Sequence, residues 1–425
     1  MNDRFKPQWH LIQTLRNIIL AGLITNLFFL WIQPDHYPNN TFLCNPSKRF
    51  SDFIIWIQFQ KYSLASEWGC PPFSLLVATF WKEIAGVTGS LVGFCLYSIL
   101  FLSLHSRIIF LELGLCGKRP DFSTWAILSF LSYPVLFEFD RGNPAWMVYL
   151  SIYAFFYFCR RDKYQWAAFF LAIAISIKII PVLFLFYLFY KGKWGAAICS
   201  LLETVLLTFV GYFIFSHFFY PAYSMDLFVN GLKTYELIYA IGGGGLAFSC
   251  SFFSLILLLL RFYAHIFDLS PAPFSWERIA LTYCNAFTIG AMASVYTWIW
   301  LRRRKMNEHR VSSLLILCLL LVPPVTGDYY LLLCYLLFFD LLRLDLDSIS
   351  FKIYSVCLGL LMIPKAYGVF FDDVNTGVLL NPLLLIVLLL CLLFSGQKRS
   401  YRDDIGLKTL HNSSSLSNSM TNRVS

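Results

Sequence analysis

Apolar stretches of near-spanning length recur along the chain, at Ile18–Ile32, Ser90–Leu113, Trp166–Tyr190, Ala196–Phe219, Ile279–Leu301 and Thr376–Phe394. About 20 residues of helix cross a bilayer core, so the pattern predicts an all-α, polytopic transmembrane protein. The first run follows Arg4, Lys6 and Arg16 and lacks a small-residue cleavage site. It reads as a retained signal anchor with its N-terminus inside. An outward loop then runs from Gln33 to about Pro72 and carries Asp35, Asp52 and Glu67. Pro71-Pro72 opens a helix to Ala85, interrupted by Lys82-Glu83, which suits the outer interface. Further crossings are expected at Thr88–Leu113, Phe122–Phe139, Ala145–Cys159, Ala196–Phe219 and Ile279–Leu301. Val311–Val322, Leu331–Leu342, Ile353–Tyr367 and Val378–Phe394 complete the path.

Two segments do not fit simple alternation. Trp166–Tyr190 has basic residues at both ends and Lys178 and Pro181 in its middle. Two half-helices joined at Ile177–Pro181 would keep both ends inside, as membrane proteins allow where broken helices line a cavity. The alternative is one long helix with a snorkelling lysine. Ser249–Phe267 is apolar, yet a full crossing would put Arg302–Lys305 on the wrong side, so it is read as re-entrant or interfacial. The expected total is about ten crossings plus these partial segments. Residues 1–396 form the membrane domain, and the polar Ser/Asn-rich 397–425 read as a disordered cytoplasmic tail.

Composition agrees: 58% of residues are hydrophobic and 13% charged, against roughly 25% charged in soluble domains. The net charge of +9 does not indicate a nucleic-acid partner. Its basic residues gather in short loops, at Lys118-Arg119, Arg160–Lys163, Lys191 to Lys193, Arg302–Lys305 and Lys398-Arg399. That is the pattern of loops retained on the cytoplasmic side. The 12 cysteines are mostly scattered singly in apolar runs. Cys44 and Cys70 bracket Asp52 in the outward loop, either as a disulfide or as two thiols. No Cys/His cluster with metal spacing occurs. Gly242–Gly245 lacks the strand, helix and Lys-Ser/Thr context of a phosphate loop.

The path places one set of polar groups at a common outer depth: Asp52, Glu138, Asp140, Arg141, Asn143, Lys178, Asp328, Tyr329 and Tyr330. Each has a plain structural reading, since Asp-Arg-Gly-Asn-Pro is turn chemistry and tyrosines anchor helix ends. Together they suit an anionic headgroup and an acceptor hydroxyl. A carboxylate can serve as general base. Arg141 and Lys178 can hold a phosphate, one by a planar fork and the other as a point charge.

In order and spacing these pieces resemble the integral-membrane glycosyltransferases of the GT-C class. The nearest likeness is family GT87 (the DUF2029 group), whose members include polyprenyl-phosphate-mannose-dependent mannosyltransferases. The likeness covers most of Leu15–Phe394. It rests on Ser51-Asp52-Phe53, Pro71-Pro72, Asp140-Arg141-Gly142-Asn143, Ile177-Lys178-Ile179-Ile180-Pro181, Gly192-Lys193-Trp194 and the Pro323–Tyr330 loop. The resemblance implies that Asp52 is the general base, that the donor is a lipid-linked sugar phosphate, and that the anomeric centre inverts. Two departures stand out. Tyr329-Tyr330 occupies the place where the family often has His-Tyr, and Asp140 replaces a Glu often found before Arg-Gly.

The sequence therefore predicts a multi-pass enzyme of the bacterial cytoplasmic membrane with its active site facing outward. Asp52 is its catalytic residue, and Arg141, Asn143, Lys178, Asp328, Tyr329 and Tyr330 bind substrate. A polyprenyl-phosphate sugar and a lipid or glycan acceptor are its partners within membrane lipid, with no cofactor, metal or nucleic acid called for. A transporter or flippase of lipid-linked substrates is the alternative, although no internal repeat of the transporter kind is visible.

Overall fold

The computed structural model describes residues 6–32, 50–58, 69–115, 120–241, 246, 249–267, 269, 274–344, 346–365 and 376–395. Among them the chain is helical, with no β-strand beyond one isolated bridge between Ser249 and Gly327. Asp35, Cys44, Glu67, Gly242–Gly245 and the tail lie outside the described residues.

Seventeen α-helices follow in order. They are α1 (Lys6–Ile32), α2 (Ser51–Ile57), α3 (Pro72–Thr88), α4 (Ser90–Gly114), α5 (Phe122–Phe130) and α6 (Tyr133–Arg141). Next come α7 (Ala145–Cys159), α8 (Tyr164–Ile177), α9 (Leu185–Tyr190), α10 (Trp194–Ile214), α11 (Met225–Tyr235) and α12 (Phe252–Ile266). The last five are α13 (Phe274–Leu301), α14 (Glu308–Leu321), α15 (Cys334–Leu341), α16 (Ser348–Leu361) and α17 (Thr376–Phe394).

The helices fall into two classes by length. Stretches within α1, α4, α13 and α17, together with Trp194–Phe219, are long and apolar enough to cross a membrane. Their best windows are only 17–39% buried, so most of their apolar surface faces outward. In lipid that is the favourable arrangement, because a helix satisfies its own backbone and presents hydrocarbon to hydrocarbon. The pair α5–α6 makes a sixth candidate span, bent by 49° at Leu131-Ser132. Pro134 at the start of α6 cannot donate into the helix before it, which explains the break.

The second class is shorter and buried. α8, α14 and α16 have 14 residues each and α7 has 15. At 1.5 Å per residue such helices rise only about 21 Å, short of a hydrocarbon core of about 30 Å. Every residue from Arg310 to Leu321 in α14 is buried, as is every residue of α15. Hydropathy alone suggested about ten crossings. Among the described residues five helices, or six with the bent pair, are long and apolar enough to cross on their own, and five more apolar helices are shorter.

The segment from Tyr164 to Lys193 is a pair of half-helices. Both of its ends lie together, with the Lys193 ammonium 4.6 Å from the Tyr164 ring. The chain leaves α8 at Lys178 in extended geometry, φ −144° and ψ 131°. It returns through a 3₁₀ turn, Ile180–Phe184, and then α9. Pro181 supplies no N–H to continue the first helix. Lys178 is thus the tip of a hairpin whose open end is basic.

That open end belongs to a larger polar face. Lys191 pairs with Glu308 at 2.6 Å, and the Tyr190 hydroxyl donates to the Met306 carbonyl at 3.2 Å. Arg160 and His309 both meet Asp340, and Arg343 pairs with Glu112. Of the loops grouped as basic in the sequence, Arg160–Lys163, Lys191 to Lys193 and Arg302–Lys305 share one end of the bundle, while Lys118-Arg119 and Lys398-Arg399 lie outside the described residues. Ser249–Phe267 does not reach that end. α12 starts where the Cys250 N–H donates to the Thr326 carbonyl at 2.8 Å. It then runs antiparallel to the first half of α13, with Phe252 against Phe287 and Arg261 bonded to Glu277 at 2.9 Å.

Cysteine labelling in an otherwise thiol-free background tests the hairpin. Asp162→Cys and Lys193→Cys, both exposed, should label from the same side of the membrane, and Ala222→Cys from the other. Labelling of positions 162 and 193 from opposite sides would make Tyr164–Tyr190 a single crossing.

Candidate active site

At the end of the bundle opposite the basic face, three segments meet. α2 is held there by its aromatic residues. Phe53 is fully buried against Phe94 and Tyr97, with ring centroids 5.5 and 5.0 Å away, and Trp56 lies on Tyr97 at 6.2 Å. Just before the helix, Phe50 adopts left-handed geometry (φ 58°) and its N–H donates to the Asp140 carbonyl at 2.7 Å. This bond clips the Asp52 segment to the end of α6.

The second segment is Asp140–Asn143. Gly142 caps α6 at φ +69°, with its N–H on the Glu138 carbonyl at 2.7 Å. A β-carbon there would lie 2.7 Å from Phe53 and 2.9 Å from Phe94, so only glycine fits. Asn143 follows and is the hub of the site. Its amide nitrogen donates to Asp52 Oδ2 at 2.8 Å, and its amide oxygen accepts from Lys178 Nζ at 3.4 Å and from the Ala145 N–H at 3.0 Å. Its carbonyl accepts from the Tyr97 hydroxyl at 2.9 Å. One side chain thus joins the carboxylate from the first loop to the cation from the hairpin tip. The Arg141 guanidinium reaches Ser51 Oγ at 3.4 Å, while Ser51 donates to Asp52 at 3.2 Å. Asp140 lies 3.7 Å from Arg141.

The third segment is the Pro323–Tyr330 loop. Lys178 Nζ lies 5.0 Å from the Tyr330 ring and 5.6 Å from the Tyr329 ring, within range of cation–π attraction. Tyr329 also packs on Phe137. Asp328, grouped with these residues by sequence, points elsewhere. It accepts from the Tyr133 hydroxyl at 2.6 Å and from the Asn381 amide at 3.1 Å, and so fixes the loop from behind. Its neighbours Tyr133 and Asn381 were not foreseen, because their own sequence surroundings are ordinary helix.

Cys70, just before α3, is half-buried beside Lys178, and desolvation pushes its thiol up to about 11. Its proposed partner Cys44 lies outside the described residues. Tyr235 and Tyr239, stacked with centroids 4.6 Å apart, come from the far loop and lie near Tyr329. Nothing along the chain marks them beyond their being aromatic.

Glu138, grouped with these residues by sequence but given no role there, is the most telling of the remaining groups. It is 1% exposed, and neither carboxylate oxygen has a hydrogen-bond partner among the described residues. It lies close enough to Asp52 and Lys178 to be coupled to both electrostatically. A buried carboxylate without donors is costly, and such groups persist mainly where function holds them.

The family comparison now has a geometry to attach to. The model for glycosyltransferase family 87 matches residues 68–324, more than half of the chain. The chain belongs to glycosyltransferase family 87. The matched stretch carries Arg141, Asn143 and Lys178, whereas Asp52 precedes it and Tyr329 and Tyr330 follow it. No curated protein and no solved structure matches the chain. Membership makes this family 87 chain a glycosyltransferase in the membrane.

Two variants test the packing and the charge. Gly142→Ala should destabilise by about 2–4 kcal/mol, from left-handed strain and overpacking, read as a fall in melting temperature. Glu138→Gln should melt at or above the parent temperature while transfer falls about tenfold or more, the low end of what a catalytic-site charge supplies. A clear drop in melting temperature would instead make Glu138 a structural residue.

Proposed function

We propose that this glycosyltransferase moves a hexose, mannose in the first instance, from a polyprenyl-phosphate sugar to an acceptor hydroxyl at the outer face of the membrane, with inversion. The carrying observation is the Asn143 amide, which holds the Asp52 carboxylate at one end and the Lys178 ammonium at the other. Inverting transfer needs a base on the acceptor side and positive charge on the leaving-group side, a few ångströms apart.

In this reading Asp52 accepts the acceptor's hydroxyl proton as that oxygen forms its bond to the anomeric carbon. The bond from that carbon to the phosphate oxygen breaks, and the oxygen leaves with the electron pair. Lys178 and Arg141 stabilise the charge that develops there. The Asn143 bond to Asp52 keeps one carboxylate oxygen engaged and leaves the other, which Ser51 also contacts, to meet the acceptor. Tyr329 and Tyr330 supply flat apolar faces beside Lys178, suited to a sugar ring. The outward orientation is supported by the distribution of charge: basic loops share the opposite end of the bundle, as retained cytoplasmic loops do.

Asp52→Asn keeps the shape and the Asn143 contact but removes the basicity. Turnover should fall roughly a hundredfold or more, with melting temperature unchanged. Near-normal transfer by this variant would remove Asp52 as the base. Arg141→Lys keeps charge and loses the fork, and Lys178→Met keeps length and loses charge. Both should raise the apparent KM for a polyprenyl-phosphate sugar in a radiolabel transfer assay. Parent-like donor dependence in both would reassign the phosphate site.

A further inference from the structure

The basic end of the bundle holds a second site that the transfer reaction does not use. Where α13 ends, a hollow of about 580 Å³ is lined by Arg302, Arg303, Arg304, Lys305 and Arg310, with no carboxylate among its lining residues. The acids nearby are already engaged. Glu308 is bonded to Lys191, and Asp340 to Arg160 and His309. Among the described residues, none of Arg302, Arg303, Arg304 or Lys305 forms an ion pair with a carboxylate.

The cations are ordered rather than merely present. Arg302 lies over the Trp298 ring at 5.0 Å and Arg303 over the Trp300 ring at 4.5 Å. Arg310 approaches the Trp298 ring from another helix at 5.8 Å and is anchored by its Nε bond to the Leu392 carbonyl at 2.7 Å. A guanidinium stacked on an indole keeps its N–H edge directed outward, ready for two parallel bonds to one phosphate. A loop that served only to set topology would need charge alone.

The rim indicates the kind of anion. Leu301 is 78% exposed, and Trp300 is partly exposed beside it. They terminate a 28-residue helix with a largely lipid-facing surface. Tryptophan at such an end sits at headgroup depth. The hollow therefore opens where phosphodiesters of the bilayer lie, with an apolar edge for an acyl chain. We infer that this pocket binds the phosphate headgroup of an anionic membrane phospholipid.

The test uses the full-length protein in nanodiscs of phosphatidylcholine, with and without phosphatidylglycerol, and native mass spectrometry to count retained lipid. A parallel arm in neutral detergent supplies inorganic phosphate alone. The comparison variant is Arg302→Lys with Arg303→Lys, which keeps the loop's charge, and so its topology, while losing the stacked forks. The parent should retain phosphatidylglycerol over phosphatidylcholine and melt higher in its presence. The double variant should bind phosphatidylglycerol about tenfold more weakly, the scale of a lost bidentate contact. Equal retention by parent and variant would reduce the pocket to general charge attraction and overturn the inference. So would inorganic phosphate reproducing the whole stabilisation, since the ligand would then be a free anion.

Discussion

A 14-residue helix rises about 21 Å, and this shortfall against a bilayer organises the molecule. The central helices run from the basic end only as far as Asp52, Asn143 and Lys178, while the outer helices continue. α13, with 28 residues, rises about 42 Å. Phe287, at its middle, packs on Phe252 near the depth of Thr326 and the site loop. The proposed reacting groups thus sit part-way along the long helices, below the level where α12 and the first turns of α13 pair. Were the core helices long enough to span, their ends would carry the same residues out into water. There each charge would be screened and each hydrogen bond exchanged with solvent.

Depth in turn makes Asn143 decisive. A carboxylate and an ammonium drawn together in a dry interior can neutralise one another by direct contact, which would leave neither free for chemistry. A neutral amide between them satisfies both while keeping them apart. It donates to Asp52 with one end and accepts from Lys178 with the other. Its own position is fixed by the Ala145 N–H and the Tyr97 hydroxyl, and the turn that presents it requires Gly142 against Phe53 and Phe94. The aromatic packing of α2 and α4 therefore reaches the chemistry in two bonded steps.

Much of this was legible in the chain. Basic residues at both ends of Trp166–Tyr190, with Lys178 and Pro181 between, carry the half-helix hairpin in their pattern, and the structure closes it through Lys193 and Tyr164. Asp52, Arg141, Asn143, Lys178, Tyr329 and Tyr330 do converge from separate loops. What periodicity could not convey was direction. Asp328 shares the depth of the others, yet its carboxylate turns to Tyr133 and Asn381, a choice made by side chains far away in sequence. Nor could hydropathy distinguish a buried 14-residue helix from a crossing, since both are continuous apolar runs. Glu138 shows a third limit. The sequence groups it with the other polar residues at the outer depth without giving it a role, and only the packed structure shows that both its oxygens lack a hydrogen-bond partner among the described residues.

The presence of Tyr329-Tyr330, where the resemblance leads one to expect His-Tyr, acquires a physical sense in this setting. Lys178 is fixed at a hairpin tip with the Asn143 amide oxygen as its hydrogen-bond partner, two phenol rings within cation–π range, and Cys70, Glu138 and Asp52 nearby. A ring face attracts an ammonium without neutralising it and without adding a second titrating group. An imidazole at 329 would sit close to a cation and would gain or lose a proton near neutral pH. In its charged form it would repel Lys178; in its neutral form it would offer a nitrogen for Lys178 to bond. A phenol does not titrate near neutral pH, and its ring face leaves the ammonium's N–H groups open to an entering anion. In the proposed reading the anion's stabilisation rests on Lys178 and Arg141, whose guanidinium is placed over Phe137 and against Ser51.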